Sequence, residues 1–404
     1  MKKFILTVIA VLLNICTPLY GADKYVDTAN GNDRASGDKS SPWRSIALSL
    51  RRVKPGDTVY VLPADAPIAM NIDIVNIFGT SEKPLTLDGM NNLFIGVRPL
   101  KAEEWQQTAP GLFRKKLRTS PAMIWRYFMV FDGKINRMGR FTKARGAAAF
   151  RDPASLAPGE WTITDPEPEN HKTHEFVCFV KLPENSSPED LCRWSEPFIC
   201  DGGVQMRERN AHIRVRNIIV KYFWNDGFNI HGDARNIIFE NIAAIGCGDD
   251  GVSAHETADV TFRNVVSIGN STGFGHVNKK SVHENFYLSG NLGCDIFMMS
   301  RTEMILKNIF VFGDSAEGFK ISGQRGNVDI SNLLYVKRNS GAGFQIAPLP
   351  GTGISFTDCQ ISGFSTSPAD GITLAEKEIL TEKINLFREK LFSGFGGRLE
   401  KALE

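Results

Sequence analysis

From His212 to about Pro350, apolar and polar residues alternate in short runs that return with a nearly constant period. Asn217, Asn241, Asn264, Asn285, Asn308 and Asn332 mark it, at spacings of 24, 23, 21, 23 and 24 residues. In the copy from Asp259 to Lys280, Val260 and Phe262 alternate with polar residues up to Asn264. A run of Val265, Val266 and Ile268 follows, then a polar turn from Gly269 to Thr272, then a run opening on Gly273 and Phe274. Other copies open that last run with Gly227 and Phe228, Gly251 and Val252, Gly318 and Phe319, or Gly343 and Phe344. Short strands rich in β-branched and aromatic residues, repeated at this period, predict an all-β chain wound as a parallel β-helix. A leucine-rich repeat of similar period needs a regular Leu spacing that is absent. Equivalent residues then stack at roughly 4.8 Å from coil to coil. The Asn column is expected to lie inside the coil, as an amide ladder at a bend where Asn tolerates left-handed geometry.

The flanks divide the rest. Residues 1–22 read as a signal peptide, with Lys2 and Lys3 before an apolar run from Phe4 to Leu13 and small residues at Gly21 and Ala22. Cys16 sits near where a lipoprotein cysteine would, but Ile15 before it is a poor fit to the small residue expected there, so lipidation is the lesser expectation. Residues 23–97 hold a cap and the first coils. An amphipathic helix from Trp43 to Val53, with Ile46, Leu50 and Val53 on one side, is placed to cover the open end of a solenoid. The period is lost over 98–203. This stretch holds Trp105, Trp125, Trp161 and Trp194 together with alternating runs such as Phe176 to Val180, which predicts an inserted β-rich module. The main coils fill 204–365. Within 366–404, Ala375 to Phe392 forms an amphipathic helix with Ile379, Leu380, Ile384, Phe387, Leu391 and Phe392 on one face. That face is expected against the far end of the solenoid, or against a partner subunit.

Charge and cysteines narrow the setting. The 404 residues carry a formal net charge of +2, and the basic residues are dispersed, so there is no nucleic-acid footprint. With the leader removed no apolar span remains, and the expectation is a secreted or periplasmic protein off the membrane. Export permits disulfides. Cys192 and Cys200 are the expected pair, whereas Cys247 and Cys294 are expected as buried thiols.

Candidate chemistry belongs on the strand after the polar turn, where outward side chains of successive coils form one surface. Asn229 and His231, Ser253 and His255, Asp295 and Phe297, and Lys320 and Ser322 are outward by alternation. The turns feeding this face bring Asp226, then Asp249 and Asp250. Asp before Gly is ordinary turn chemistry, but two adjacent carboxylates repel unless a cation or a proton is shared.

Several motifs add resemblances. The order YVD, GND, SPWRSI and VKPGDTVYVLP resembles the opening of secreted right-handed β-helix proteins of the pectate lyase superfamily. The segments GLFRKKL, MVFDGKINRMGR, LAPGEWTITD and FVCFVKLPENSSPED resemble the small β-barrel inserted early in several β-helix glycosidase families; such a module either merely packs on the solenoid or walls one side of a substrate groove. WNDGFNI followed by GCGDDGVSA resembles the polygalacturonase pair NTDG and GDD. That resemblance implies an inverting hydrolysis carried by Asp226, Asp249 and Asp250, with no cofactor. The family's third motif is not matched, since Thr272 stands where its His belongs and His276 lies four residues on. The same residues resemble family 9 pectate lyases, which implies bound calcium and a lysine base, here Lys320 in EGFKISG. The leading expectation is a polysaccharide-degrading glycoside hydrolase with Asp226, Asp249 and Asp250 catalytic and Asn229, His231, His255, His276 and Lys320 binding a polysaccharide or oligosaccharide. A calcium-dependent lyase and a non-catalytic glycan-binding β-helix are the alternatives.

Overall fold

The computed structural model describes residues 21–143, 148–166, 174–299, 303–323, 326–347 and 349–404. The expected leader, with Cys16, lies almost entirely outside them. The chain is a parallel β-solenoid of about 12 turns. One sheet of eight strands runs from Ile72–Val75 through Val204–Arg207, Phe228–Ile230, Asp250–His255, Thr272–Val277, Cys294–Met299 and Gly318–Ser322 to Gly343–Ala347, all parallel. The opposing sheet has twelve strands, among them Arg209–Lys221, Asp233–Ile245, Asp259–Ile268, Lys280–Ser289, Glu303–Gly313 and Val328–Lys337. Between the two lies a continuous core of residues such as Phe228, Phe239, Phe262, Phe274, Phe286 and Phe319.

The first two runs of each repeat are one strand, bent at the Asn. All six Asn residues sit at φ between 53° and 63°, and their amides bond from coil to coil, as in Asn241 Nδ2 to Asn217 Oδ1 at 2.9 Å and Asn332 Nδ2 to Asn308 Oδ1 at 2.8 Å. The ladder is not inside the coil, however. In each copy two buried residues flank two outward ones, as Phe262 and Val265 flank Arg263 and Asn264. The left-handed residue interrupts the alternation, so it stands on the convex, outer side of the bend.

The C-terminal helices also lie elsewhere than expected. Lys377–Ser393 and Arg398–Leu403 run back along the flank of the twelve-stranded sheet, not over its end. Lys383 Nζ reaches Gln360 Oε1 at 3.1 Å, the Gly394 carbonyl accepts from Asn241 Nδ2 at 3.1 Å, and Arg398 Nη1 reaches Asn92 Oδ1 at 3.1 Å. The helices cover an outward apolar column that includes Ile219, Val266, Tyr287, Phe310 and Leu334. This explains runs such as Val265 and Val266, because a segment buried on both faces does not alternate. At the other end Ile46 and Leu50 of the helix Ile46–Arg52 join the solenoid core.

The insertion interrupts one coil and forms two four-stranded sheets with antiparallel pairing. Its own core includes Trp105, Tyr127, Trp161 and Trp194, and it meets the solenoid at Trp224. The Trp224 ring lies 4.9 Å from that of Tyr127, and its Nε1 donates to the Met123 carbonyl at 2.8 Å. Cys192 and Cys200 are exposed free thiols, so the expected disulfide is absent; Cys247 and Cys294 are buried thiols.

His276 and His283 lie wholly inside the solenoid, ring centroids 4.7 Å apart, against Phe262, Phe274 and Phe286. None of their four ring nitrogens has a hydrogen-bond partner among the described residues. Burial lowers His276 to about 4 and pushes His283 well below the usual histidine range. The unfolded chain therefore takes up protons below about pH 6.5 while the folded one does not. Stability is full above that pH and falls with acidification through pH 4. A urea-unfolding series from pH 7.5 to 4 is expected to show this loss, and His283→Phe is expected to flatten it.

Candidate active site

The eight-stranded sheet presents one outward column, in register, of Gln205, Asn229, Ser253, Gly275, Phe297, Lys320 and Gln345. Beside it His231 and His255 stack with ring centroids 4.2 Å apart and planes within 4°. The turns before these strands bring Asp226, Asp249 and Asp250 together, with one carboxylate oxygen of each within 4.8 Å of the others. This is the convergence the motif spacing implied. All three carboxylates are at most 3% exposed.

Two expected positions differ. His276 pairs in register with Ala254 and Met298, both buried. It belongs to the inward column, so it cannot touch a ligand on this face. Asp295 is also buried, in a corner column otherwise occupied by glycines such as Gly273 and Gly318, and accepts from Ser315 Oγ and Tyr335 Oη, each at 2.8 Å. Burial, partly offset by those two bonds, moves it up to about 7. Lys320 is on the outward column but three strands beyond Ser253, roughly 14 Å away. Its ammonium pairs with Glu317 at 2.7 Å and lies over Phe297.

The residues that complete the cluster come from the inserted module. Lys143 Nζ bonds Asp250 Oδ2 and lies 3.2 Å from Asp249 Oδ1, and Arg126 Nε reaches Asp249 Oδ2 at 2.8 Å. Thr142 Oγ1 donates to Asp249 Oδ1. Arg137 Nη2 holds the carbonyls of Cys247 and Gly269, at 2.6 and 3.0 Å, in the turns alongside. The sequence argument required a cation or proton for the adjacent carboxylates. It had no means of naming a lysine 107 residues distant.

The three carboxylates are unequal. Burial opposes the Asp249 charge, but the Lys143 and Arg126 charges outweigh it and hold the group down to about 2. Burial pushes Asp250 well above the carboxylate range, with Lys143 offsetting part and the charges of Asp249 and Asp226 adding to it. Burial and the Asp249 charge also raise Asp226. Three carboxyls thus face two cations, Lys143 and Arg126, which leaves one proton to be held. Asp226 accepts from the Asp250 backbone N–H at 2.9 Å on Oδ1 and from Ser253 Oγ at 2.7 Å on Oδ2. Both of its oxygens therefore stabilise the ionised form. Asp250 Oδ1 has no partner among the described residues, so the proton is best placed there. Room for the carboxyl is made by Gly275, where a Cβ would stand 2.5 Å from Asp250 Oδ2.

Calcium fits this arrangement poorly. Hard-cation sites are built from 6–8 oxygen ligands, whereas here the Lys143 ammonium already bonds one of the three carboxylates and approaches a second. Burial works against the Lys143 charge, yet the ionised Asp249 and Asp226 beside it raise its pKa. It is a fixed cation at neutral pH and cannot serve as a base. His255, whose Nε2 lies 3.3 Å from Ser253 Oγ, is lowered to about 3 by burial and the neighbouring His231. It meets a ligand as a neutral imidazole.

No family model matches the chain, and no curated protein matches it in sequence. Its fold is similar to several solved structures. The complex of XylC with xylose is 9% identical with a TM-score of 0.47, over 87% of this chain and 70% of that one. Pectate lyase Pel9A is 13% identical with a TM-score of 0.46, over 89% and 80%. A structure described as a glycoside hydrolase is 10% identical with a TM-score of 0.43, over 82% and 96%. These likenesses concern the solenoid fold.

Proposed function

We propose that the chain is a glycan-cleaving hydrolase whose proton donor is Asp250. The observation that carries this reading is the buried carboxyl with an unpartnered Oδ1, held protonated beside the ionised Asp249. Carboxyls driven apart in proton affinity by their surroundings are what two-carboxylate glycoside hydrolysis uses. Asp250 gives its proton to the glycosidic oxygen as the bond to the anomeric carbon breaks, and a water activated by the carboxylates of Asp249 and Asp226, which take its proton, adds to that carbon and completes the hydrolysis. Export, with action outside the cytoplasm, is part of the same proposal.

A second reading is favoured by one observation: Thr142 and Lys143 cover the carboxylates. On that reading the cluster only docks the inserted module on the solenoid, and any glycan is bound without being cleaved. For cleavage the Lys143 ammonium has to move off Asp250 when substrate enters. A panel of plant and algal polysaccharides, read both for new reducing ends and for the ultraviolet absorbance of unsaturated uronic ends, separates the readings. Reducing ends without absorbance are expected. Absorbance would establish a lyase, and binding without either product would leave the docking role.

A further inference from the structure

The outward column of the eight-stranded sheet is closed on one side of Asp250 and open on the other. On the side nearer the start of the chain, Gln205, Asn229 and Ser253 are at most 5% exposed, and their polar atoms are turned to one another. The Gly202 N–H donates to Gln205 Oε1 at 3.2 Å, and Asn229 Nδ2 donates to the same oxygen at 3.3 Å. Ser253 Oγ lies 3.2 Å from Asn229 Oδ1 and 2.7 Å from Asp226 Oδ2. These side chains hold each other and the cluster, and they present no surface to a ligand. On the other side solvent reaches the column. Phe297 and Lys320 are partly exposed and Gln345 is exposed. Met299, two residues along the strand from Phe297 and on the same face, is 39% exposed.

Asp250 stands at the boundary between the two. Gly275 pairs in register with Ser253 and with Phe297, and a Cβ there would meet Asp250 Oδ2 at 2.5 Å. The Asp250 carboxyl therefore fills the place of the side chain that Gly275 lacks, one strand spacing, roughly 4.8 Å, from the Phe297 position. Beyond Phe297 the Lys320 ammonium lies 5.9 Å from the ring centre and is already paired with Glu317. Phe297 and Met299 thus make an apolar shelf on the open side of the carboxyl. A sugar ring suits such a shelf, because its C–H face packs on an aromatic ring while its hydroxyls reach polar neighbours. Lys320 and Gln345 continue the line at the next two strand spacings, with donors on both and an acceptor on Gln345.

We propose that a glycan lies on one side of Asp250 only, with one sugar stacked on Phe297 and the following ones over Lys320 and Gln345. Cleavage near a chain end, which follows from that placement, rests on the hydrolase reading above; the placement itself does not. The test is calorimetric titration of the wild type and of Asp250→Asn with xylo-, cello- and galacturono-oligosaccharides from dimer to octamer. Phe297→Ala is expected to weaken binding by about three- to tenfold, the scale of one aromatic contact, and Phe297→Tyr is expected to restore it. Gln345→Ala, at an exposed position, is expected to weaken binding of the longer chains and leave the dimer unchanged, which tests the direction of the glycan even where Phe297→Ala does not fold. Products from the matching polymer are then sized over time. Small products of one size from the first minutes, with a slow fall in viscosity, are expected. Unchanged affinity in Phe297→Ala or in Gln345→Ala, or no binding of any chain, would overturn the placement. Products of many sizes with a fast fall in viscosity would overturn the closed side. Binding that depends on Phe297 without any cleavage would support the placement and remove only the catalytic reading, so the two failures are seen separately.

Discussion

Asp250→Asn is expected to lower the rate of glycan cleavage by at least about 100-fold, the scale of general acid catalysis. The amide keeps the size of the side chain and its acceptor toward Lys143, and the backbone N–H that donates to Asp226 is unaltered. What is lost is the proton on Oδ1, the one carboxyl oxygen of the cluster with no partner among the described residues. Thermal unfolding measured alongside the rate makes the result interpretable. A variant that folds like the wild type and loses activity identifies Asp250 as the donor. A variant equally stable and equally active would reduce Asp250 to a turn residue that holds Lys143. The matching pH profile follows from the raised Asp250 and the lowered Asp249. The acidic limb reports ionisation of Asp249, with activity maintained down to about pH 2 as far as that group is concerned. The alkaline limb reports loss of the Asp250 proton, and in the Asn variant that limb is expected to disappear from the residual rate.

Lys143→Met is expected to destabilise the chain by about 3–5 kcal/mol, the range for removing one partner of a buried ion pair. Lys143 faces two of the three buried carboxylates, and Arg126 alone then remains against them. The loss should depend on pH in a defined direction. Without the ammonium, the folded-state pKa of Asp249 rises above the unfolded value near 3.9, and that of Asp250, already above it, rises further. The folded variant then binds more protons than the unfolded chain, so its stability improves as pH falls from 8 toward 5. The same variant leaves three carboxylates with room for a cation, and calcium is expected to raise its thermal midpoint through linkage. In the wild-type chain calcium is expected to change nothing, because Lys143 stands where the ion would. Denaturant unfolding at pH 5 and 8, with and without calcium, measures all of this. A wild-type midpoint that rises with calcium would show the ammonium displaced by the ion and revive the lyase alternative. A Lys143→Met midpoint equal to the wild type would mean the lysine contributes nothing to the docked cluster.

Much of the molecule is legible in its sequence, and the reason is periodicity. A solenoid repeats its local rules, so the spacing of Asn217 to Asn332 and the alternation around each Asn predicted the parallel coils, their stacking and the convergence of Asp226 with Asp249 and Asp250. These are nearest-neighbour consequences of the chain. Side-chain direction at the Asn bends was misread because alternation is broken where φ turns positive, and two consecutive residues then face outward. His276 was misassigned for the opposite reason: the alternation there is intact, and it turns the imidazole inward beside Phe274. The motif resemblance pulled it to the wrong face.

What only the tertiary structure decided are the contacts between segments that share no period. The C-terminal helix carries an apolar stripe, but the stripe does not say which surface it covers. The outward column of Val266, Tyr287 and Phe310 selected the flank over the end. Docking of the inserted module brought Arg126, Thr142 and Lys143 to carboxylates more than 100 residues away in sequence, and with them the inequality of proton affinity on which the proposed chemistry depends. Charge repulsion within Asp249 and Asp250 requires a counter-charge from somewhere. Coulomb attraction has no sequence register, so its source is fixed by how the inserted module and the solenoid meet.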